Sequence, residues 1–266
     1  MILRRVIYHV RNQQWTAIAF DFMITVAGVF VGIQVSNWNS ARIERRLEGE
    51  YIGRLQVDLD TIISRARDQQ AFESVKVKQI NIGLELSREP QSIVRNLRLG
   101  HVLTALTIRM SPRFESTTFN DLESSGRLSL ISDAKLRNDL SGYFARLQYL
   151  KSALLRNNDN YVEPYVSYLR GANIGAGYAD PVTVRDVPMS PLDERLANYS
   201  RVRFGARKAD AGGGLERSPG DAGFDRLRTE LGWRGHGTMA NANLLDTIVE
   251  DSAKLKSEVG AQHAAP

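Results

Sequence analysis

Residues 15–38 read WTAIAFDFMITVAGVFVGIQVSNW, and their reading decides the fold. At a rise of about 1.5 Å per residue, about 20 apolar residues in a helix span the hydrocarbon core of a bilayer. The run has that length and carries one charge, Asp21, and one amide, Gln34. Trp15 and Trp38 bracket it as interfacial anchors should. Arg4, Arg5 and Arg11 precede it, and Arg42, Arg45 and Arg46 follow it. A cleaved signal peptide needs a small-x-small site close behind its apolar run, and Ser36-Asn37-Trp38-Asn39 is a poor one. A buried core helix has no need of tryptophan bookends and basic flanks. The stretch is therefore expected to be an uncleaved, single-pass transmembrane helix with the lipid bilayer as its first partner. Lys and Arg counts near the two ends almost tie, so the positive-inside rule barely discriminates. A short tail ahead of a long C-terminal domain favours a cytoplasmic N-terminus.

One side of this helix is distinctive. Asp21, Thr25, Gly28, Gly32 and Ser36 recur at i, i+4, i+7, i+11 and i+15 and share a face. Gly28 and Gly32 form G-x-x-x-G, which lets two helices approach closely, and Thr25 and Ser36 can hydrogen-bond across such a contact. Asp21 facing lipid would cost roughly 2.5–3.5 kcal/mol at the bilayer centre and less near an end. The face is expected to be an association surface, for a homo-oligomer or for another membrane protein.

Beyond the span, Ile43, Leu47, Tyr51, Leu55, Leu59, Ile62 and Ala66 keep helical spacing with Glu and Arg between them. The spacing predicts one helix over 41–86, weakest at Ser74 and Gly83 and stopped by Pro90. A second helix is expected over Ser92–Met110, with Leu99, Leu103, Leu106 and Met110 on a stripe, before Pro112. A short helix follows over 118–123, with Thr118 as its N-cap and Gly126 ending it in the left-handed conformation. Ser132 or Asp133 caps the next helix, where Leu136, Leu140, Tyr143, Leu147, Leu150 and Leu154 form an a/d seam. Antiparallel packing of that seam on the 43–66 stripe, with the second helix in a third position, gives a bundle.

The fold class expected is all-α: an N-terminal transmembrane helix continuing into a soluble antiparallel helical bundle with a long coiled-coil-like helix. The organisation expected is a basic tail over 1–14, the span over 15–38 and a bundle over 39–170. A Gly/Pro-rich basic loop or disordered insert occupies 171–223, and a helical segment and tail occupy 224–266. The insert carries Arg201, Arg203, Arg207, Lys208 and Gly212-Gly213-Gly214.

Two stretches carry a resemblance. Gln34-Val35-Ser36-Asn37-Trp38-Asn39 is close to Q-x-N-N-W-N, with Ser36 in place of the usual Asn. Thr118-Phe119-Asn120-Asp121-Leu122-Glu123-Ser124-Ser125-Gly126-Arg127-Leu128 matches T-F-x-x-L-x-x-S-G-x-L. Both resemble a bacterial membrane-protein family, the domain-of-unknown-function family numbered 6090. Asp21 stands where its members carry an early Glu. The resemblance covers about residues 15–170. It implies a single-span helical protein of the bacterial inner membrane and implies no activity.

Composition narrows the chemistry. With 42% hydrophobic residues a packed core is within reach, and the absence of Cys removes disulfides, thiolate metal sites and Cys nucleophiles. The net charge of +5 fits a solvated surface with an Arg excess and argues against nucleic acid as a partner. His9, His101, His236 and His263 stand alone, without metal-ligand spacing. No G-x-S-x-G, H-E-x-x-H or Walker sequence occurs. Asp58 and Asp60 diverge on a helix, and Ser124-Ser125-Gly126 reads as a helix end rather than a nucleophile turn. No cofactor, metal or catalytic residue is expected. The expected role is non-catalytic and works through helix–helix association. A membrane-anchored ligand-sensing or signal-relay module is the alternative.

Overall fold

The computed structural model describes residues 15–174, 185–204 and 213–264. Among them every regular element is helical, so the all-α class stands. Helix α1 runs Trp15–Leu86 without a break, 72 residues and about 108 Å. Neither Ser74 nor Gly83 interrupts it. Gly83 is buried, and a Cβ there would lie 3.3 Å from Val102 and 3.4 Å from Leu231, so the missing side chain lets two neighbouring helices close in. The helix ends ahead of Pro90, whose ring disfavours helical backbone at the residue before it.

Helix α2 covers Ile93–Ala105, with the Ser92 hydroxyl accepting from the Arg95 N–H. It stops at Ala105, short of the expected Met110. Helix α3 covers Thr117–Ser124. Its N-cap is Ser116 rather than Thr118: the Ser116 hydroxyl accepts from the Phe119 N–H, and the Thr118 N–H donates to Asp58 of α1. Asp58 thus places a carboxylate at the positive end of α3. Gly126 adopts the expected left-handed backbone, at φ 69°, and a short 3₁₀ turn follows over Arg127–Leu130.

Helix α4 covers Ala134–Asn157 and is capped by Asp133, which accepts from the Lys135 N–H. Phe144, not Tyr143, completes its buried seam with Leu136, Leu140, Leu147, Leu150 and Leu154. Phe144 stacks on Phe119 at 4.1 Å between ring centres, while Tyr143 turns its hydroxyl to Ser252. A single π-helical turn, Asn158–Val162, leads into α5, Glu163–Gly171. Within the span read as an insert lie α6, Pro191–Phe204, and a 3₁₀ turn at Gly213–Leu215. Helix α7 then runs Ala222–Ala264 as one 43-residue helix, over most of the stretch expected as a helical segment and tail.

Helix α7 lies antiparallel along α1: Leu231 sits at Gly83, Lys256 pairs with Asp60, and Gly260 sits near Gln56. It is α7, not α2, that fills the third position of the bundle beside α4. Helix α4 runs parallel to α1. Its start meets Glu48 through Ser132, and its end reaches Asn241, which in turn holds Glu73. Two apolar cores result. The lower joins Tyr51–Ala66 of α1 to α3, α4 and Leu245–Val259 of α7. The upper joins Ile80 and Leu86 to α2, α5 and Phe224–Leu231 of α7. Replacing Leu245, fully buried in the lower core, by Ala should cost about 2–5 kcal/mol in chemical denaturation. The same change at half-exposed Leu155 should cost less than about 1 kcal/mol.

Candidate functional site

Between the two cores lies a polar waist, and its origin is the buried end of α2. The last carbonyls of a helix have no partner within it, so a buried C-terminus needs donors from elsewhere. Three side chains supply them. Tyr165 donates to the Leu103 carbonyl at 3.1 Å, Lys76 to that of Ala105 at 2.9 Å, and Arg234 to that of Leu106 at 3.1 Å. Two of the three are cations, which suits the negative end of the helix dipole.

Buried cations in turn require anions. Lys76 meets Asp193 at 2.6 Å, with both side chains wholly enclosed. The other oxygen of Asp193 accepts from the Gln79 amide at 3.1 Å and from the Ser190 N–H at 2.9 Å. The Asp193 N–H donates back to the Ser190 hydroxyl at 3.2 Å. Ser190-Pro191-Leu192-Asp193 is thus a capping box with Pro at the first helical position. The box holds the Asp193 carboxylate in place for Lys76. Across the waist, Glu73 accepts from Asn241 at 3.0 Å, and Asn241 accepts from Asn157 at 3.0 Å. Arg234 also donates to Thr238.

Burial governs the protonation of this layer. It lowers the basicity of Lys76, with Asp193 opposing. It raises the Glu73 carboxyl, with Arg234 and Asn241 opposing. It lowers Arg234 against the pull of Glu73. His101 of α2, enclosed beside the waist, is held down to about 4 by burial above all.

The expected association face stands apart from the waist. Gly28 and Gly32 have no atom within 4 Å of where a Cβ would be. Thr25 turns its hydroxyl to the Asp21 carbonyl at 2.8 Å, one helical turn back. Ser36 is exposed, Asp21 half-buried, and Trp38 is 62% exposed. The helix begins at Trp15, whose side chain lies outside the described residues. So do His9, the arginines before Trp15, Arg207 and Lys208, and the side chains of Arg201, Arg203 and His263. The segment that starts at Ala19 is long and apolar enough to cross a membrane, and none of its most apolar stretch is covered by the rest of the chain. Phe20, Met23, Val29, Phe30 and Ile33 all stand 53% or more exposed.

Two surface clefts complete the description. One of about 690 Å³ lies between α5 and the start of α7, where Arg226 covers the Tyr168 ring at 5.3 Å. A shallower one of about 360 Å³ is bordered by Gly53, Val57, Asp58 and Thr118. The short motif over 118–128 serves as the corner between α1 and α4: Phe119 and Leu122 enter the core, and Asp121 accepts from the Tyr51 hydroxyl at 3.0 Å. No family model, curated protein or solved structure matches the chain.

The waist was not anticipated from the sequence, although its capping box is a readable signal. Its consequence can be measured. His101 binds its proton more weakly folded than unfolded, so its contribution to stability is full above pH 6.5 and is lost as pH falls toward about 4. Glu73, raised, works in the opposite sense, so the test is a difference. His101→Gln should flatten the loss of unfolding free energy between pH 6.5 and about 4 by up to about 3 kcal/mol relative to the unchanged protein.

Proposed function

We propose that this chain is a non-catalytic, single-pass membrane protein that acts by helix–helix association along α1, as a homo-oligomer or with a second membrane protein. The observation that carries the reading is one of phase. Asp21, Thr25, Gly28, Gly32 and Ser36 sit within one arc of α1, and Leu55, Leu59, Ile62 and Ala66, which face the bundle, sit about 150° around the same unbroken helix. The soluble helices therefore hang on the side of α1 away from the small-residue face. A second helix can approach that face with no bundle in its way.

The face continues above the membrane. Asn39, Ile43, Arg46, Glu50 and Val57 fall in the same arc and are exposed, with Ile43 at 51% and Val57 at 64%. Exposed aliphatic side chains in line with G-x-x-x-G extend the surface that a partner helix would cover. The first core residue, Tyr51, stands about 20 Å along α1 from Trp38, so the core is carried clear of the headgroups. In the inner membrane, with the N-terminus cytoplasmic, that bundle would stand outside the cytoplasm. This reading agrees with the resemblance of the two motifs to the single-span family numbered 6090.

The absence of native cysteine makes the test clean. Ile43→Cys, oxidised mildly in membranes, should give a disulfide-linked dimer. Tyr149→Cys, on α4, should not. Adding Gly28→Leu and Gly32→Leu to Ile43→Cys should reduce the dimer at least about tenfold, since Leu at both positions blocks close approach. Equal crosslinking at Ile43→Cys with and without the leucines would contradict the association face.

A further inference from the structure

The surface left open along α1 keeps a period of seven. Val29, Ser36, Ile43, Glu50 and Val57 stand at every seventh residue, and Thr25, Gly32, Asn39, Arg46 and Gly53 fall three or four residues from them. All are exposed except Gly53, which is half-buried, and the aliphatic ones, Val29, Ile43 and Val57, stand 60%, 51% and 64% exposed. Steps of four and three in turn make the seam of a two-stranded coil. A straight helix drifts off such a seam by about 20° per heptad, and supercoiling with a partner of the same repeat removes the drift. The seam runs for about 48 Å along one unbroken helix. Past Val57 the same register carries Asp60, Ser64 and Arg67, and Asp60 is engaged by Lys256 of α7.

We propose that the partner of this seam is a second copy of the chain, parallel and in register, paired from Thr25 to Val57 about a two-fold axis. The inference rests on the association reading above and names its partner. Charge points to self. Arg46 and Glu50 occupy successive seam positions, and within one chain they pair at 3.0 Å with side chains 82% and 56% exposed. Across a parallel two-fold axis each Arg46 also meets Glu50 of the second copy, so the like pairs that the axis creates lie inside a neutral group of four. Length points the same way. A helix that covers the whole seam must start within the apolar segment and run on past it without a break, as α1 itself does. Shape agrees with two strands. The β-branched Val29, Ile43 and Val57 on the seven-residue positions suit a dimer. The hollow of about 360 Å³ beside Glu50, Gly53 and Val57, walled by Thr118 of α3, receives Val57 of the second copy.

The test reads disulfide crosslinking of the full chain in membranes through Val57→Cys, under mild oxidation. This variant should crosslink to a product of twice the chain's mass. Adding Arg46→Glu gathers four carboxylates at the axis, and adding Glu50→Arg gathers four guanidiniums. Each addition should cut the product at least about tenfold. Co-expressed under distinguishable tags, the acidic and the basic copy should crosslink to each other within about twofold of the Val57→Cys level, since every contact between them is then of opposite charge. Both changed side chains are exposed, and recovery in the mixed pair shows that each copy keeps its fold. Four results overturn the second copy while leaving the association reading standing. They are no product from Val57→Cys, a product that contains a different polypeptide, charge variants that crosslink to themselves as well as before, and acidic and basic copies that fail to pair. Crosslinking at Ile43→Cys that ignores Gly28→Leu and Gly32→Leu overturns both.

Discussion

The backbone hydrogen-bond ladder of α1 ties the apolar segment to the bundle. A helix fixes both rise and rotation for every residue it contains. Once α1 runs unbroken from Trp15 to Leu86, the direction in which Gly28 and Gly32 face is settled relative to the direction in which Leu55 and Leu59 face. A hinge below the bundle would release that relation and leave the two surfaces independent. The ladder needs support, since a lone helix in water is marginal without packing along one face. Helix α7 supplies it over the length of the bundle, from Phe224 in the upper core to Val259 in the lower.

The waist follows from the same architecture. Helix α2 ends inside the bundle, so its carbonyls must be met by donors from the long helices on either side. Donors long enough to reach them are Lys and Arg, and their charges then call for Asp193 and Glu73. The chain thus carries a layer of four buried charges between two apolar cores as a result of where one short helix stops. Such a layer contributes little net stability but penalises misalignment, because any shift of α1 against α7 leaves a charge unmatched.

What the sequence made legible follows the strength of its local signals. The apolar run, the stop at Pro90, the leucine spacing of α4 and the glycine turn at Gly126 each rest on a short-range rule, and each is found. The continuity of helix α7 was hidden because its middle carries Gly232, Gly235 and Gly237 among polar residues, and glycine weakens a helix by about 1 kcal/mol each. Packing overrides that penalty: Gly237 lies under the Tyr161 ring with no room for a Cβ, and Gly235 faces Ile80. The apolar pattern fails there for a second reason, since this is where α7 crosses the waist with Arg234, Thr238 and Asn241. Helix α6 was masked by the glycine and proline around it, although Ser190-Pro191-Leu192-Asp193 announces a helix start. The pairing of Lys76 with Asp193 joins residues far apart in sequence, and no local pattern encodes it.

The central claim is the straight, unbroken course of α1 from its apolar segment to the bundle. It is tested most directly by a spin-label distance between Phe30→Cys, in the apolar segment, and Ser64→Cys, on the exposed side of the bundle. The doubly labelled protein is placed in nanodiscs and diluted with unlabelled chain. A continuous helix predicts a single narrow distribution near 51 Å, from about 1.5 Å of rise over the intervening residues. A broad distribution, or one centred well below that distance, would mean a hinge between the apolar segment and the bundle and would contradict the account.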